Sequence, residues 1–430
     1  MDWVVFVGVE IKGTKDVGGV VDAPPSKSYS HRAVFVAAMS GGRSKIFNPL
    51  ISRDIEATIN GLRELGAKID RFERGYLAVE GFGNKPKPPS DVVDLMNSGT
   101  SMRFLMGVGC HLGEGALILT GDQSLRERPN QPLIDSLNEL GGRVFSSRSN
   151  GKLPIVVKGK LKGGPTSITG QVSSQFISSL LLCSPIAEEG VSINLLDGMK
   201  SSPYIDMTRE VMEEAGISFK DDLEIRGNQS YTPINYSVPG DFSSAANLLA
   251  LGALSDGKVV VKNLKETQQG DKVILDVLEE FGADVSWEGS NVVVHGDNLE
   301  GITYDASNTP DLVPVISILG AFASGETRIT NVEHARYKET DRISAMSTEL
   351  QKMGAEVIEK RDGLIIRDSK LRGTKLSGHE DHRIVMALTL AAAFASGKSI
   401  ITDEEYVKIS FPGFFEKISQ LGVECVRSKK

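Results

Sequence analysis

The sequence predicts an α/β protein assembled from six copies of one helix–strand unit. A phrase made of an amphipathic helix, a glycine and a short strand-forming run recurs six times, and its glycines lie 66 to 75 residues apart by subtraction of their numbers. This spacing fits a supersecondary unit of about 70 residues rather than a solenoid repeat. The six glycines are Gly66, Gly141, Gly216, Gly282, Gly354 and Gly422.

Local chemistry accounts for each part of the phrase. A glycine suits the left-handed position that follows a helix end, because it carries no Cβ. The run after it contains Ala, Val, Ile or Phe, which favours a strand. At 430 residues, three units per domain give two domains of about 200 residues, each large enough for its own core.

The elements of the first unit follow one another in a clear order. The stretch Ser26 to Arg32 opens an apolar helix that runs to Met39, glycines end that helix, and Lys45 to Asn48 form a strand ahead of the phrase helix. Near the start of the chain, the alternation from Val7 to Ile11 predicts a further strand. The other five units open at Asn97–Ser101, Ser173–Gln175, Asp241–Ser244, Asp311 and Asp381–Arg383.

These six helix starts are rich in residues that cap helices. Taken singly, such a start is usually only a cap. If the units pack with pseudo-symmetry, however, three starts per domain point the same way and offer free N–H groups and positive dipole ends to an anion.

Cationic residues recur beside these starts and in the polar connections. The chain is acidic overall, with 48 Lys and Arg against 56 Asp and Glu, so repeated cations at equivalent places indicate a site for a polyanionic small molecule. The alternative is a scatter of solvated surface charges. The residues concerned are Lys27, Arg32, Arg103, Arg126, Arg128, Arg336, Lys338, Arg342, Arg383 and Lys408.

Several other classes of protein are disfavoured. There is no P-loop or complete dinucleotide-binding glycine motif, and the acidic balance argues against a nucleic-acid surface. No apolar run approaches the roughly 18 residues of a membrane span. The unpaired spacing of Cys110, Cys183 and Cys425 indicates a reduced chain, and we expect a cytoplasmic protein. His379 to His382 could suggest a metal site, but a capped helix start fits that spacing better, and we expect no metal.

Taken together, these motifs resemble the 5-enolpyruvylshikimate-3-phosphate synthase family of enolpyruvyl transferases. The resemblance runs from about Pro24 to Pro412. It is carried by Pro25–Ser28 with Arg32, Asn97–Arg103, Glu127–Pro129, Ser173–Gln175, Ser201–Tyr204, Gly240–Asp241, Pro310–Asp311, Lys338–Arg342, Asp381–Arg383, Lys408 and Phe411–Pro412.

The resemblance implies a two-domain inverse α/β barrel with three units per domain and an active site in the interdomain cleft. It places one discontinuous lobe at residues 1–20 plus 239–430 and an inserted lobe at residues 21–238, with crossings at Val21 and Pro239-Gly240. It also implies transfer of the enolpyruvyl group of phosphoenolpyruvate to the 5-hydroxyl of shikimate 3-phosphate through a tetrahedral intermediate, with release of phosphate and no cofactor.

The resemblance further assigns residues to each substrate. Those implied for phosphoenolpyruvate are Lys27, Asn97, Gly99, Arg128, Gln175, Arg342, Arg383 and Lys408. Those implied for shikimate 3-phosphate are Ser28, Arg32, Ser173, Ser174, Gln175, Ser201, Tyr204, Asp311 and Lys338. The implied acid/base residues are Asp311 and Glu339, with Lys27 to shuttle a proton or stabilise the phosphate. The partners are thus small molecules, with no nucleic acid or membrane, and we expect a monomer.

Two alternatives remain open at the level of sequence. One is UDP-N-acetylglucosamine enolpyruvyl transfer, a relative that usually carries a reactive cysteine in a mobile loop, whereas Cys110 here ends an apolar helix. The other is a non-catalytic anion-binding homologue. One departure from the family pattern is His334, which stands where many relatives place Asn or Glu. Gly99 resembles the small residue of glyphosate-sensitive members, so we expect sensitivity.

Overall fold

The computed structural model describes residues 6–14, 16–72 and 75–429. The chain divides into two compact units, each with its own hydrophobic core. The first unit comprises the N-terminal segment up to Pro24 together with Gly240–Lys430, and the second comprises Pro25–Pro239. The expected crossing at Val21 instead falls inside a strand, Gly19–Asp22, which pairs with Val259–Lys262 and so keeps the chain in the first unit as far as Pro24.

Thirteen α-helices occur in the described part of the chain. They are α1 (Lys27–Met39), α2 (Arg53–Glu64), α3 (Gly99–Gly109), α4 (Gln123–Glu127), α5 (Gln131–Glu139), α6 (Ser174–Cys183), α7 (Pro203–Glu214), α8 (Phe242–Leu254), α9 (Ile274–Phe281), α10 (Val313–Phe322), α11 (Arg342–Lys352), α12 (His382–Phe394) and α13 (Phe414–Gln420). Short 3₁₀ turns span Ser184–Ile186, Gly270–Val273, Glu333–Tyr337 and Glu404–Ile409.

The strands of the described residues are short. They are β1 (Phe6–Lys12), β2 (Gly19–Asp22), β3 (Arg43–Phe47), β4 (Lys68–Phe72), β5 (Tyr76–Glu80), β6 (Val93–Asp94), β7 (Gly113–Thr120), β8 (Gly142–Ser146), β9 (Ile155–Gly159), β10 (Gly164–Gly170), β11 (Val191–Met199), β12 (Phe219–Asp221), β13 (Glu224–Ile225), β14 (Asn235–Ser237), β15 (Val259–Lys262), β16 (Asp284–Glu288), β17 (Asn291–His295), β18 (Thr303–Asp305), β19 (Glu326–Thr330), β20 (Glu356–Lys360), β21 (Gly363–Arg367), β22 (Lys375–Leu376), β23 (Lys398–Ile401) and β24 (Cys425–Lys429).

These strands form six four-stranded sheets that share one pattern. In each sheet the first pair of neighbours is parallel and the next two pairs are antiparallel. The second unit contains the sheets β14-β3-β5-β4, β6-β7-β9-β8 and β10-β11-β13-β12, and the first unit contains β2-β15-β17-β16, β18-β19-β21-β20 and β22-β23-β1-β24. Three repeats per unit were predicted, and this prediction is confirmed.

The six recurring glycines take the conformation that the sequence predicted. Each follows the end of a phrase helix, and all six have φ between +81° and +104°. An L side chain is strained in this region, whereas glycine is not. The phrase helices are α2, α5, α7, α9, α11 and α13, and the strands that follow them are β4, β8, β12, β16, β20 and β24.

The opening helix of each repeat is buried on nearly all sides. In α1, for example, every residue from Tyr29 to Met39 is buried. In the first unit α8, α10 and α12 pack against one another, and in the second unit α3 packs against both α6 and α1. The helices thus lie inside and the sheets outside, as expected for the inverse α/β fold. No helix among the described residues is long and apolar enough to cross a membrane.

Five of the six opening helices begin at a side-chain cap, as predicted. The caps are Ser26, Ser98, Ser173, Asp241 and Asp381. The exception is α10, where the cap position belongs to Leu312 and makes no side-chain hydrogen bond. Asp311 is therefore not the cap that the sequence predicted, because its carboxylate accepts a hydrogen bond from Arg342 instead.

Candidate active site

In the second unit, the starts of α3 and α6 bring polar side chains together. The Arg103 guanidinium, one turn into α3, donates to Gln175 Oε1 at 2.6 Å and to Ser173 Oγ at 3.3 Å, and it lies over the Phe176 ring. Gln175 Nε2 in turn donates to Thr100 Oγ1 at 3.0 Å. Ser173 and Gln175, two predicted substrate contacts, therefore lie in one hydrogen-bonded group.

Gly99 permits a close approach at this point. A Cβ built on Gly99 would lie 2.9 Å from Arg128 Nη1 and 3.7 Å from Arg103 Nη1. Arg128 Nη2 donates to Asn97 Oδ1 at 2.6 Å, and its buried Nε has no hydrogen-bond partner among the described residues. Two guanidinium groups therefore converge on the first turn of α3, where free backbone N–H groups also favour an anion.

Arg32 is a buried cation whose hydrogen-bond acceptors are neutral. Its Nε donates to Thr208 Oγ1 at 2.8 Å, one terminal nitrogen donates to the Tyr204 carbonyl at 2.7 Å and the other to the Ser28 carbonyl at 2.9 Å. Burial lowers the pKa of Arg32 to about 10, which still leaves it charged at neutral pH. No carboxylate within the described part of the chain forms an ion pair with it, so an anionic ligand would supply the missing charge.

The other predicted residues of the second unit surround these groups. Lys27 Nζ lies 3.4 Å from Asp54 Oδ2, and both side chains are mostly buried. Ser174 and Ser201 are buried, and Ser201 has φ of +57°, which places it in the left-handed region ahead of α7. The Tyr204 carbonyl contacts Arg32 as described above. The structure therefore links Ser28, Tyr204 and Arg32 directly.

In the first unit, Arg342 is the centre of an acidic group. Its side chain is 1% exposed and donates to three carboxylates: Nη1 to Asp311 Oδ1 at 2.6 Å, Nη2 to Glu339 Oε2 at 2.9 Å, and Nε to Asp381 Oδ2 at 2.8 Å. Burial opposes its ionisation, but Asp381, Glu339 and Asp311 more than offset that effect and raise the pKa of Arg342 well above its usual value. The two predicted acid/base carboxylates thus share one guanidinium.

Arg383 and Lys338 extend this group. Arg383 Nη2 lies 3.6 Å from Asp311 Oδ2, and its Nη1 donates to Ser244 Oγ at 3.4 Å. Lys338 Nζ lies 3.9 Å from Asp311 Oδ1. Three cationic side chains therefore lie within 4 Å of the Asp311 carboxylate.

Lys408 is the remaining cation of the first unit that was assigned to a substrate. It is exposed on the 3₁₀ turn Glu404–Ile409, which packs against α12. It borders a groove of about 200 Å³ together with Glu405, Phe415 and Arg427.

The histidine-rich stretch before α12 has structural partners. Asp381 caps α12 and pairs with Arg342, while His379 Nε2 contacts Glu349 Oε1 at 2.7 Å. The capped helix start that the sequence favoured is confirmed. The described residues contain no group of three or more His, Cys, Asp or Glu side chains placed to hold a metal ion. His31 is buried and its Nδ1 contacts Thr58 Oγ1, as expected for a packed histidine.

Sequence reasoning missed several polar residues of these two groups. Arg103 was counted among the cations but not assigned to a substrate, although it lies one helical turn after Gly99. Asp381 was read only as a cap. Asp54, which faces Lys27, and Asn130, which accepts from Arg103 Nε at 3.2 Å, carry no local sequence signal, because only the fold brings them near their partners.

Comparisons with known proteins agree with this geometry. A model of the EPSP synthase (3-phosphoshikimate 1-carboxyvinyltransferase) family matches residues 11–418. A 3-phosphoshikimate 1-carboxyvinyltransferase of Methanococcoides burtonii is 46% identical over 426 residues, which cover 97% of this chain and 99% of the relative. One of Methanocella arvoryzae is 47% identical over 414 residues, covering 95% and 97%. The solved EPSP synthase of Acinetobacter baumannii superposes with a TM-score of 0.83 at 27% identity, covering 97% of this chain and all of that one.

Proposed function

The chain belongs to the EPSP synthase family of transferases, and from that premise we propose that it transfers the enolpyruvyl group of phosphoenolpyruvate to the 5-hydroxyl of shikimate 3-phosphate, releasing phosphate. This reaction is a step of the shikimate pathway, which leads to the aromatic amino acids. The observation that supports the proposal most directly is the sharing of Arg342 by Asp311 and Glu339.

Charge neutralisation is the first requirement of this reaction. Each substrate carries a phosphate and a carboxylate, so about six negative charges must be held together. Like charges a few ångströms apart in a partly desolvated site repel by several kcal/mol. We propose that Lys27, Arg128, Arg342, Arg383 and Lys408 bind phosphoenolpyruvate, with contacts from Asn97, Gly99 and Gln175. Arg32 and Lys338 would bind shikimate 3-phosphate, with Ser28, Ser173, Ser174, Ser201 and Tyr204.

Proton transfer is the second requirement. Addition delivers a proton to the methylene carbon of phosphoenolpyruvate and removes one from the attacking hydroxyl, and elimination of phosphate from the tetrahedral intermediate reverses both demands. We assign these transfers to Asp311 and Glu339, with Lys27 assisting at the phosphate. The Arg342 guanidinium would hold both carboxylates in fixed directions, because its Nη1 and Nη2 each donate to one of them.

The proposal includes the arrangement expected from the family. The two groups of residues, each built within its own unit, would act on one pair of substrates in an interdomain cleft, and the paired crossings at Pro24 and Pro239 would serve as the hinge. We further propose that the protein acts as a monomer in the cytoplasm, without nucleic acid or membrane partners and without a cofactor or metal.

The state of Cys110 favours the shikimate substrate over the nucleotide sugar. Its thiol is fully buried and bonds to the Met106 carbonyl, and burial raises its pKa well above the usual value. A thiol in that state is a poor nucleophile or acid. It therefore does not resemble the reactive loop cysteine usual in UDP-N-acetylglucosamine enolpyruvyl transferases.

A phosphate-release assay tests the proposal. Phosphoenolpyruvate is supplied with shikimate 3-phosphate, with UDP-N-acetylglucosamine, or alone, and free phosphate is measured over time. We expect release only with shikimate 3-phosphate. Release with the nucleotide sugar instead would assign the chain to the other transfer reaction. Binding heat for both shikimate-pathway substrates without any release would indicate a non-catalytic homologue.

A further inference from the structure

A buried carboxylate outside the assigned residues lies behind the acidic group of the first unit. Asp271, in the 3₁₀ turn Gly270–Val273, is 2% exposed. Its Oδ2 accepts a hydrogen bond from Ser243 Oγ, whereas its Oδ1 is buried with no hydrogen-bond partner among the described residues. An unpartnered buried carboxylate oxygen weakens stability, so folding alone gives no reason for an acid at this position.

The first turn of α8 connects Asp271 to Arg383. Ser243 bonds to Asp271, and the next residue, Ser244, accepts from Arg383 Nη1 at 3.4 Å. Asp241 caps the same turn by accepting from the Ser244 N–H at 2.8 Å. Arg383 Nε is also buried without a hydrogen-bond partner within the described part of the chain. Asp271 is therefore connected to Arg383, which we propose binds phosphoenolpyruvate, through two hydrogen bonds and the peptide bond between Ser243 and Ser244.

We propose, resting on the function proposed above, that Asp271 is a positioning residue that orients Arg383 through Ser243 and the first turn of α8, and thereby sets the charge felt by Asp311. Asp271 does not touch the substrates in this scheme. It acts through the arginine that binds phosphoenolpyruvate and through the field at the neighbouring carboxylate.

The charged surroundings of Asp271 give this role a pH dependence. Burial raises the pKa of Asp271 to about 7, as do the charges of Asp311 and Asp241, while the Ser243 hydroxyl and Arg383 oppose the rise. The Tyr304 hydroxyl of β18 lies within the field of Asp271 but stays protonated, since burial raises its pKa. The acidic side chains of α9, Asp276, Glu279 and Glu280, are exposed, and Lys272 pairs with Glu266.

The sign of the effect follows from these neighbours. Below about pH 7 Asp271 is protonated and neutral, and above it a negative charge appears beside Asp311 and Arg383. That charge weakens the attraction of Arg383 for an anionic substrate. We therefore expect the KM for phosphoenolpyruvate to rise with pH through an inflection near neutrality, beyond the change caused by the substrate's own phosphate.

Two variants test the proposal by their pH profiles. Asp271→Asn keeps the shape and an acceptor for Ser243 but cannot ionise, so the inflection should disappear. Ser243→Ala removes the hydrogen bond that lowers the Asp271 pKa, so the inflection should move to higher pH. Measured below the inflection, where Asp271 is neutral in both proteins, Ser243→Ala should also lower kcat/KM for phosphoenolpyruvate by up to about tenfold, the size of one hydrogen bond, and leave the KM for shikimate 3-phosphate unchanged.

The controls separate this inference from the proposed function and from loss of fold. Asp276→Asn changes an exposed acid on α9 and should keep the wild-type profile. Thermal unfolding of each variant checks its fold, and if Asp271→Asn does not fold, the Ser243→Ala shift carries the test. If the wild type releases no phosphate, the proposed function fails. If the wild type is active and Asp271→Asn and Ser243→Ala both keep its inflection, only the role of Asp271 is overturned.

Discussion

Arg342 illustrates how single residues link stability to chemistry in this protein. Its buried guanidinium donates to Asp311, Glu339 and Asp381, so all three carboxylates depend on it for direction and for charge compensation. Removing one partner of such a buried ion pair typically costs about 3–5 kcal/mol, because the remaining charge stays buried. Two of the three carboxylates are also the proposed proton-transfer groups, so the same contacts serve the fold and the reaction.

The proposed acid/base pair can be tested by isosteric amides. Glu339→Gln and Asp311→Asn keep the side-chain shape and an oxygen for Arg342, but neither amide can exchange a proton as a carboxyl does. We expect each variant to fold and to release phosphate roughly 10² to 10⁴ times more slowly. Circular dichroism provides the check on folding, and near-normal turnover in both variants would contradict the assignment.

Gly99 leaves room for the Arg128 guanidinium, so a larger side chain at this position should disturb substrate binding. In Gly99→Ala the new methyl would lie 2.9 Å from Arg128 Nη1, so the guanidinium must move. We expect the KM for phosphoenolpyruvate to rise about tenfold, since small displacements of binding groups are costly, and inhibition by glyphosate to weaken. Steady-state titrations with both compounds measure this. Gly41→Ala is the control, because a Cβ there meets nothing within 4 Å.

Unchanged inhibition in Gly99→Ala would show that this position does not control glyphosate binding. A wild-type protein that glyphosate does not inhibit at low phosphoenolpyruvate concentration would contradict the expected sensitivity itself.

At the scale of the elements, the recurring glycines explain why the fold could be read from the sequence. A helix, a glycine and a strand are local features, and all six predicted glycines have positive φ. The contacts of Asp311 could not be read in this way, because its position before an apolar helix resembles a cap, and only the fold places Arg342 beside it. Likewise Asp54 and Asp271 gave no signal, since their partners are 27 and 28 residues away.

The repeat glycines also predict a graded loss of stability. Gly354 has φ of +95°, and a Cβ there would meet nothing within 4 Å, so backbone strain is the main cost of substitution. Gly354→Ala should lower the free energy of unfolding by about 1–2 kcal/mol, and Gly354→Asn by less, because Asn tolerates the left-handed region. Urea unfolding measures both. Equal losses in the two variants would point to another cause.

For the whole molecule, the second unit has the features of an independent folding unit. It has its own core, and its two ends are joined by a hydrogen bond from the Ser26 N–H to the Pro239 carbonyl at 2.8 Å. The separate core and the three-repeat architecture follow from the sequence pattern. The exact crossing at Pro24 could not be predicted from that pattern. It depends on the pairing of β2 with β15, which keeps residues 19–22 in the first unit.

This organisation predicts the behaviour of an excised fragment. Residues 25–239 alone should unfold in one cooperative thermal transition, because the hydrophobic core of this unit consists only of its own residues. Because it retains Arg32, it should also bind shikimate 3-phosphate by calorimetry, without releasing phosphate when phosphoenolpyruvate is added. The full-length chain serves as the control. A fragment with no cooperative transition would show that the second unit needs the first in order to fold.

The place of β1 in the sixth sheet affects how the chain can fold during synthesis. β1 lies between β23 and β24, so the strand Phe6–Lys12 pairs with two strands that are synthesised only after residue 397. The inserted residues 25–239 can complete their three sheets while the ribosome is still at work, because all their strands have then emerged. The sheet that contains β1 cannot form until β23 and β24 have been synthesised.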